Sequence, residues 1–74
     1  MNELDVVRVK STVRVEELFH EGEIEIEANW EGTIVADANA STPMVEFTSY
    51  RDRPFLVNLD VANLEWSGNR NERT

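Results

Sequence analysis

Cysteine is absent from this chain, so neither a disulfide staple nor a thiolate metal site can hold it together. Long apolar runs are missing as well. Nothing approaches the roughly 20 consecutive apolar residues of a membrane-spanning helix. The opening MNELDVVRVK has no basic stretch leading into an apolar one, as a secretory leader would. Cytoplasmic residence is the expectation that follows. Positive charge is scarce: seven Lys and Arg against fifteen Asp and Glu leave a net charge of −8. Such a chain repels phosphate backbones and anionic lipid surfaces. Direct nucleic-acid binding and membrane binding are therefore not expected. Charge instead favours a larger protein with a basic surface as partner.

The motifs of catalysis are also missing. His20 is the only histidine, and HEGE places Glu21 and Glu23 near it at a spacing that matches no compact zinc signature. Calcium loops interleave Asp, Asn and Gly before a terminal Glu, and that order is not present. The serines at 11, 41, 49 and 67 lie in no Gly-x-Ser-x-Gly elbow. Glycine-rich phosphate loops are not found. No cofactor is implied, and an enzyme is not expected.

What the sequence does contain is strand periodicity. Val7, Val9, Ser11, Val13 and Val15 alternate with Arg8, Lys10, Thr12 and Arg14, an apolar face against a basic one. EELFHEG, 16–22, breaks the alternation and reads as a loop with at most one helical turn, from which Leu18 and Phe19 could tuck under the sheet. Glu23, Glu25 and Glu27 then oppose Ile24, Ile26 and Ala28. Antiparallel pairing of the first strand with this one would set the glutamates against Arg8, Lys10 and Arg14, with roughly 0.2–1 kcal/mol for each opposite-charge pair. Asn29 and Trp30 mark a turn, Asn tolerating the left-handed conformation and Gly32 adding freedom.

GTIVADA is a short strand, NAST a polar turn closed by Pro43, and MVEFTSY a strand with Val45 and Phe47 inward. RDRP is a turn, where Arg51 and Arg53 either flank a solvated hairpin tip or contact a carboxylate. FLVNLD places Phe55, Val57 and Leu59 on one face, and DVANL reads as a single 3₁₀ turn before a last short strand. Turns at roughly 8–12-residue intervals fit a small barrel or sandwich. The chain of 74 residues is thus one all-β domain over 1–66, with SGNRNERT, 67–74, as a disordered polar tail.

The elements DVV at 5–7, GTIV at 32–35, VEF at 45–47 and FLVNLDVANL at 55–64 carry a resemblance to a family of short, mostly uncharacterised bacterial proteins with an SH3-like barrel. The resemblance spans most of residues 4–66. It implies five to six antiparallel strands with a long first loop and the 3₁₀ turn before the last strand. Two features depart from the family pattern. An insertion falls around 11–23, and Asn29–Trp30 stands where a glycine and a smaller or polar residue are usual. In SH3-like barrels the loop so extended is the one that most often touches partners, which makes it the part most specific to this chain. Related barrels in ribosomal and transcription factors meet RNA through basic loops. Here the equivalent region carries Glu21, Glu23, Glu25, Glu27 and Glu31, which disfavours RNA.

Phe19, His20, Glu25, Glu27, Trp30 and Glu31 are accordingly the candidates for partner contact. Trp30 between glutamates would suit an incoming Arg or Lys through cation–π contact and ion pairing. Alternatively Trp30 and Trp66 cap the open ends of the barrel. Three functions fit. The first is an acidic interaction module of the antitoxin or immunity type that masks a basic surface. The second is a nucleic-acid mimic of the phage anti-defence type, and the third an accessory subunit of an enzyme. An unpaired barrel edge leaves a homodimer open.

Overall fold

The computed structural model describes residues 1–69. The strands are β1 (Asp5–Val9), β2 (Val13–Glu16), β3 (Glu23–Ile26), β4 (Glu31–Ala36), β5 (Met44–Phe47), β6 (Phe55–Asn58) and β7 (Leu64–Asn69), with a 3₁₀ turn at Val61–Asn63. A five-stranded antiparallel sheet runs in the order β6-β5-β4-β1-β7, and β2 and β3 form a separate hairpin. A hairpin after the first strand, a three-strand meander, and a 3₁₀ turn that returns the last strand beside the first together make the connectivity of an SH3-like barrel. Among the described residues, no helix is long and apolar enough to cross a membrane.

The core follows the alternation. Val7, Val9, Ile24, Ile26, Ile34, Val45, Phe47, Phe55, Val57, Leu59 and Leu64 pack as one cluster from both sheets. Gly32 lies within β4 opposite Val7, so it serves the strand rather than the turn. A Cβ there would stand 2.7 Å from a Val45 methyl and 2.9 Å from Phe47 Cε1, so the bare glycine lets the aromatic ring press on the backbone. Asn29 takes φ 76°, the left-handed turn conformation its side chain tolerates.

The alternating run 7–15 is not one strand. β1 pairs with β4 and β7, while β2 pairs with β3. The break between them is held by Asn63. Its Oδ1 accepts from the Ser11 N–H at 3.0 Å and from Ser11 Oγ at 2.8 Å, and its Nδ2 donates to the Ser11 carbonyl at 2.9 Å. Thr12 Oγ1 accepts from the Ala28 N–H at 3.1 Å, which fixes the base of the hairpin. The expected charge pairing therefore splits. Arg14 reaches Glu23 and Glu25 at 3.6 and 3.7 Å, whereas Arg8 reaches Glu31 and Glu65, both at 3.9 Å.

The polar tail begins later than its composition implies. Ser67, Gly68 and Asn69 belong to β7, with Gly68 at φ 141° beside a register shift against β1. Ser67 Oγ donates to Glu31 Oε2 at 2.8 Å. The rest of the expected tail, 70–74, lies outside the described residues.

Candidate interaction surface

The hairpin β2–β3 folds over the open edge of β6 and closes the barrel through its own tip. Leu18 N–H donates to the Leu56 carbonyl at 2.9 Å, which prolongs strand pairing across the seam. One residue earlier, Glu17 N–H donates to the Gly22 carbonyl at 3.1 Å, which shuts the loop. The Glu17 side chain turns inward and is only 8% exposed, with Arg53 Nη1 at 2.6 Å and His20 Nε2 at 3.9 Å from its carboxylate. The Arg53 contact of the RDRP turn is thus a carboxylate of the same chain.

This pairing holds the Glu17 carboxyl below its ordinary value. The close approach of the Arg53 guanidinium is the main cause, burial opposes it, and the Arg53 charge adds to the lowering. A carboxylate with a depressed folded pKa stabilises above its unfolded pKa, and the contribution disappears as pH falls through the folded value. We therefore expect the wild type to be more stable than Glu17→Gln at pH 7. That advantage should vanish in acid, below the ordinary value of 4.5. Denaturant unfolding of both chains at several pH values checks this, and a difference that does not change with pH would contradict it.

With residues 17, 18 and 22 tied down, Phe19 has nowhere to turn inward. It adopts φ 68°, a left-handed conformation unusual for an aromatic residue, and is 81% exposed. Of the pair expected to tuck beneath the sheet, Leu18 is half-buried and Phe19 is not. No helical turn forms in 16–22. His20 is exposed beside it, and Glu16, Glu21 and Glu23 surround the tip. The register sets Glu16 directly against Glu23, a like-charge pair that Arg14 relieves from the neighbouring rung. Glu25 lies on the same outer face, two positions along β3.

Trp30 and Glu31 occupy a second group. The Trp30 ring is half-buried, stacks on Tyr50 with centroids 4.3 Å apart, and leans on Phe47 at 6.0 Å and Phe55 at 6.4 Å. The Glu31 N–H donates to Tyr50 Oη at 2.8 Å, which locks the stack to β4. Arg51 lies over Phe55 with its guanidinium carbon 5.9 Å from the ring centre. The Trp30 ring therefore closes one end of the core, while Trp66, 56% exposed, stands on the outside of β7 and closes nothing. Glu27 is exposed in the turn where Trp30 N–H donates to its carbonyl at 3.2 Å.

The six candidate residues thus fall into two neighbouring clusters, with the 48–54 turn between them. Phe19 and His20 are at the tip, with Glu25 down the hairpin face. Glu27, Trp30 and Glu31 are at the turn into β4. Glu17 and Arg53, which position the tip, were not among the candidates. Their only sequence signal is a Glu that breaks the alternation and an Arg in a distant turn. No protein-family model matches the chain, and no curated protein or solved structure matches it either.

Proposed function

We propose that this chain is a non-enzymatic interaction module that docks through the tip of the β2–β3 hairpin onto a basic surface of a larger protein. The carrying observation is Phe19: a large apolar side chain held in solvent, at φ 68°, by a loop fastened on both sides. Strained, immobilised exposure is a poor solution for folding and a good one for binding, because the anchor is ordered before the partner arrives. Aromatic anchors of this kind commonly dominate interface energies. Exposed glutamates at 16, 21 and 23, in and beside the same loop, favour a cationic rim on the partner and speed encounter. An antidote that masks an effector of the antitoxin or immunity type fits these features, and cytoplasmic residence belongs to the same proposal.

Nucleic-acid mimicry fits less well. A mimic needs unbroken tracks of carboxylates, and here Arg14 sits between Glu23 and Glu25 while Arg8 sits between Glu31 and Glu65.

Capture from native-cell lysate tests the proposal. The wild type should retain a protein at low salt and release it as salt approaches about 1 M, where charges are screened within roughly 3 Å. A Glu21→Lys, Glu23→Lys variant should lose that protein at low salt as well. Equal capture by the charge-reversed chain, or no specific capture, would overturn the proposal.

A further inference from the structure

The tip of the β2–β3 hairpin is fastened differently from the rest of it. Ile24 and Ile26 are buried and anchor the hairpin in the core. Across 16–22 no apolar residue is buried: Leu18 is half-buried, and Glu17 is the one buried side chain. Among the described residues, two polar contacts tie the tip across the seam. They are the Leu18 N–H bond to the Leu56 carbonyl and the Glu17–Arg53 ion pair.

The ion pair stands where strand alternation calls for an apolar residue. Val13 and Val15 pack on the core, and Glu17 keeps their parity one residue past β2. A buried carboxylate is costly unless a charge offsets it. Glu17 Oε2 is buried and accepts no hydrogen bond of good geometry, so the Arg53 guanidinium at 2.6 Å is what offsets it. The Arg53 side chain is itself 41% exposed, so the pair is open to solvent from one side. His20 Nε2, 3.9 Å away, adds attraction when it carries a proton, and Arg51 adds a further positive charge. Asp52 acts on the Arg53 guanidinium from the same turn.

We infer that the Glu17–Arg53 pair is a latch that acid opens, releasing the hairpin tip from β6 while the barrel stays folded. Protonation of Glu17 removes the attraction and leaves the Leu18 N–H as the polar tie across the seam. The barrel does not share this sensitivity, because its core cluster is wholly apolar. Asp5, the other buried acid among the described residues, belongs to β1 and accepts from the Asn2 N–H at 2.8 Å. The Glu17 carboxyl is held below 4.5, so the latch is closed above that value and opens as pH falls through the lower folded one. The consequence for docking rests on the tip being the docking surface proposed above. Opening frees the loop that holds Phe19 in place, and the partner is released with it.

Amide exchange on the free chain tests the latch. Leu18 is the reporter, and Val9, whose N–H donates to the Trp30 carbonyl at 2.9 Å, is the barrel reference. From about pH 6 to about pH 3, protection of Leu18 relative to the intrinsic rate should fall about fivefold more than that of Val9. Glu17→Gln should show the lower protection at both pH values, and Arg53→Lys, which keeps the charge, should retain the wild-type profile. A fall shared equally by Val9, or a flat Leu18 profile in the wild type, would overturn the inference. So would a wild-type profile in Glu17→Gln. At neutral pH, Arg53→Gln leaves Glu21 and Glu23 charged and should weaken partner capture about fivefold. Undiminished capture would overturn the link between latch and docking. Exchange is read without a partner, so a lysate that yields none counts against the docking surface and not against the latch.

Discussion

Phe47→Ala is expected to destabilise the domain by about 3–5 kcal/mol, the range for deleting a buried aromatic ring. Phe47 is fully buried and is the hub of the aromatic cluster: it stacks on Phe55 at 5.4 Å and meets Trp30 at 6.0 Å and Tyr50 at 6.1 Å. At roughly 0.05–0.15 kcal/mol per residue, 74 residues hold about 4–11 kcal/mol in all. One substitution thus removes a large share of the total. For a domain of this size, each kcal/mol moves the melting temperature by about 4–8 °C. Thermal unfolding should therefore show a fall of at least about 12 °C. Thr48→Ala, one position along and exposed, should shift stability by no more than about 0.5 kcal/mol. A small fall for Phe47→Ala would mean that the aromatic cluster does not organise the core.

The second large effect concerns Phe19→Asn, and its two consequences run in opposite directions. Asparagine takes the left-handed conformation more readily than phenylalanine, so the variant should gain about 0.5–1 kcal/mol in stability. The exposed ring makes few contacts whose loss could offset that gain. Binding should fall by at least about 2 kcal/mol, roughly 30-fold, as for an aromatic anchor at an interface centre. A residue retained for packing cannot show this combination. Trp30→Ala would be a poorer test, since it removes the stack on Tyr50 and disturbs the fold that presents any surface.

The strands that alternate cleanly were legible in the sequence. Val45 and Phe47, then Phe55, Val57 and Leu59, are buried as their period-2 spacing implies. The 3₁₀ turn read from DVANL is present, with Asp60 as its cap, and the turn at Asn29 was legible through a residue tolerant of positive φ. The break between β1 and β2 was not legible, because Ser11 keeps the parity of the alternation. The clamp that breaks it comes from Asn63, 52 residues away.

The hairpin tip was hidden for the same kind of reason. Glu17 looks like one more acidic surface residue until Arg53, far along the chain, draws its carboxylate inward. Once that carboxylate turns in, the geometry of the loop sends Phe19 out. Local pattern would have buried the phenylalanine and exposed the glutamate, and a long-range ion pair reversed both. For the candidate surface, the residue types were legible in the sequence and the fold supplied their grouping.

The measurement that bears most directly on the hairpin tip as a docking anchor puts Phe19→Asn through two assays side by side. One is denaturant unfolding, and the other is affinity for the protein that the wild type captures. The expected result is a more stable chain that has lost its partner. A variant that binds as tightly as the wild type, or one that is destabilised by the loss of the ring, would contradict it.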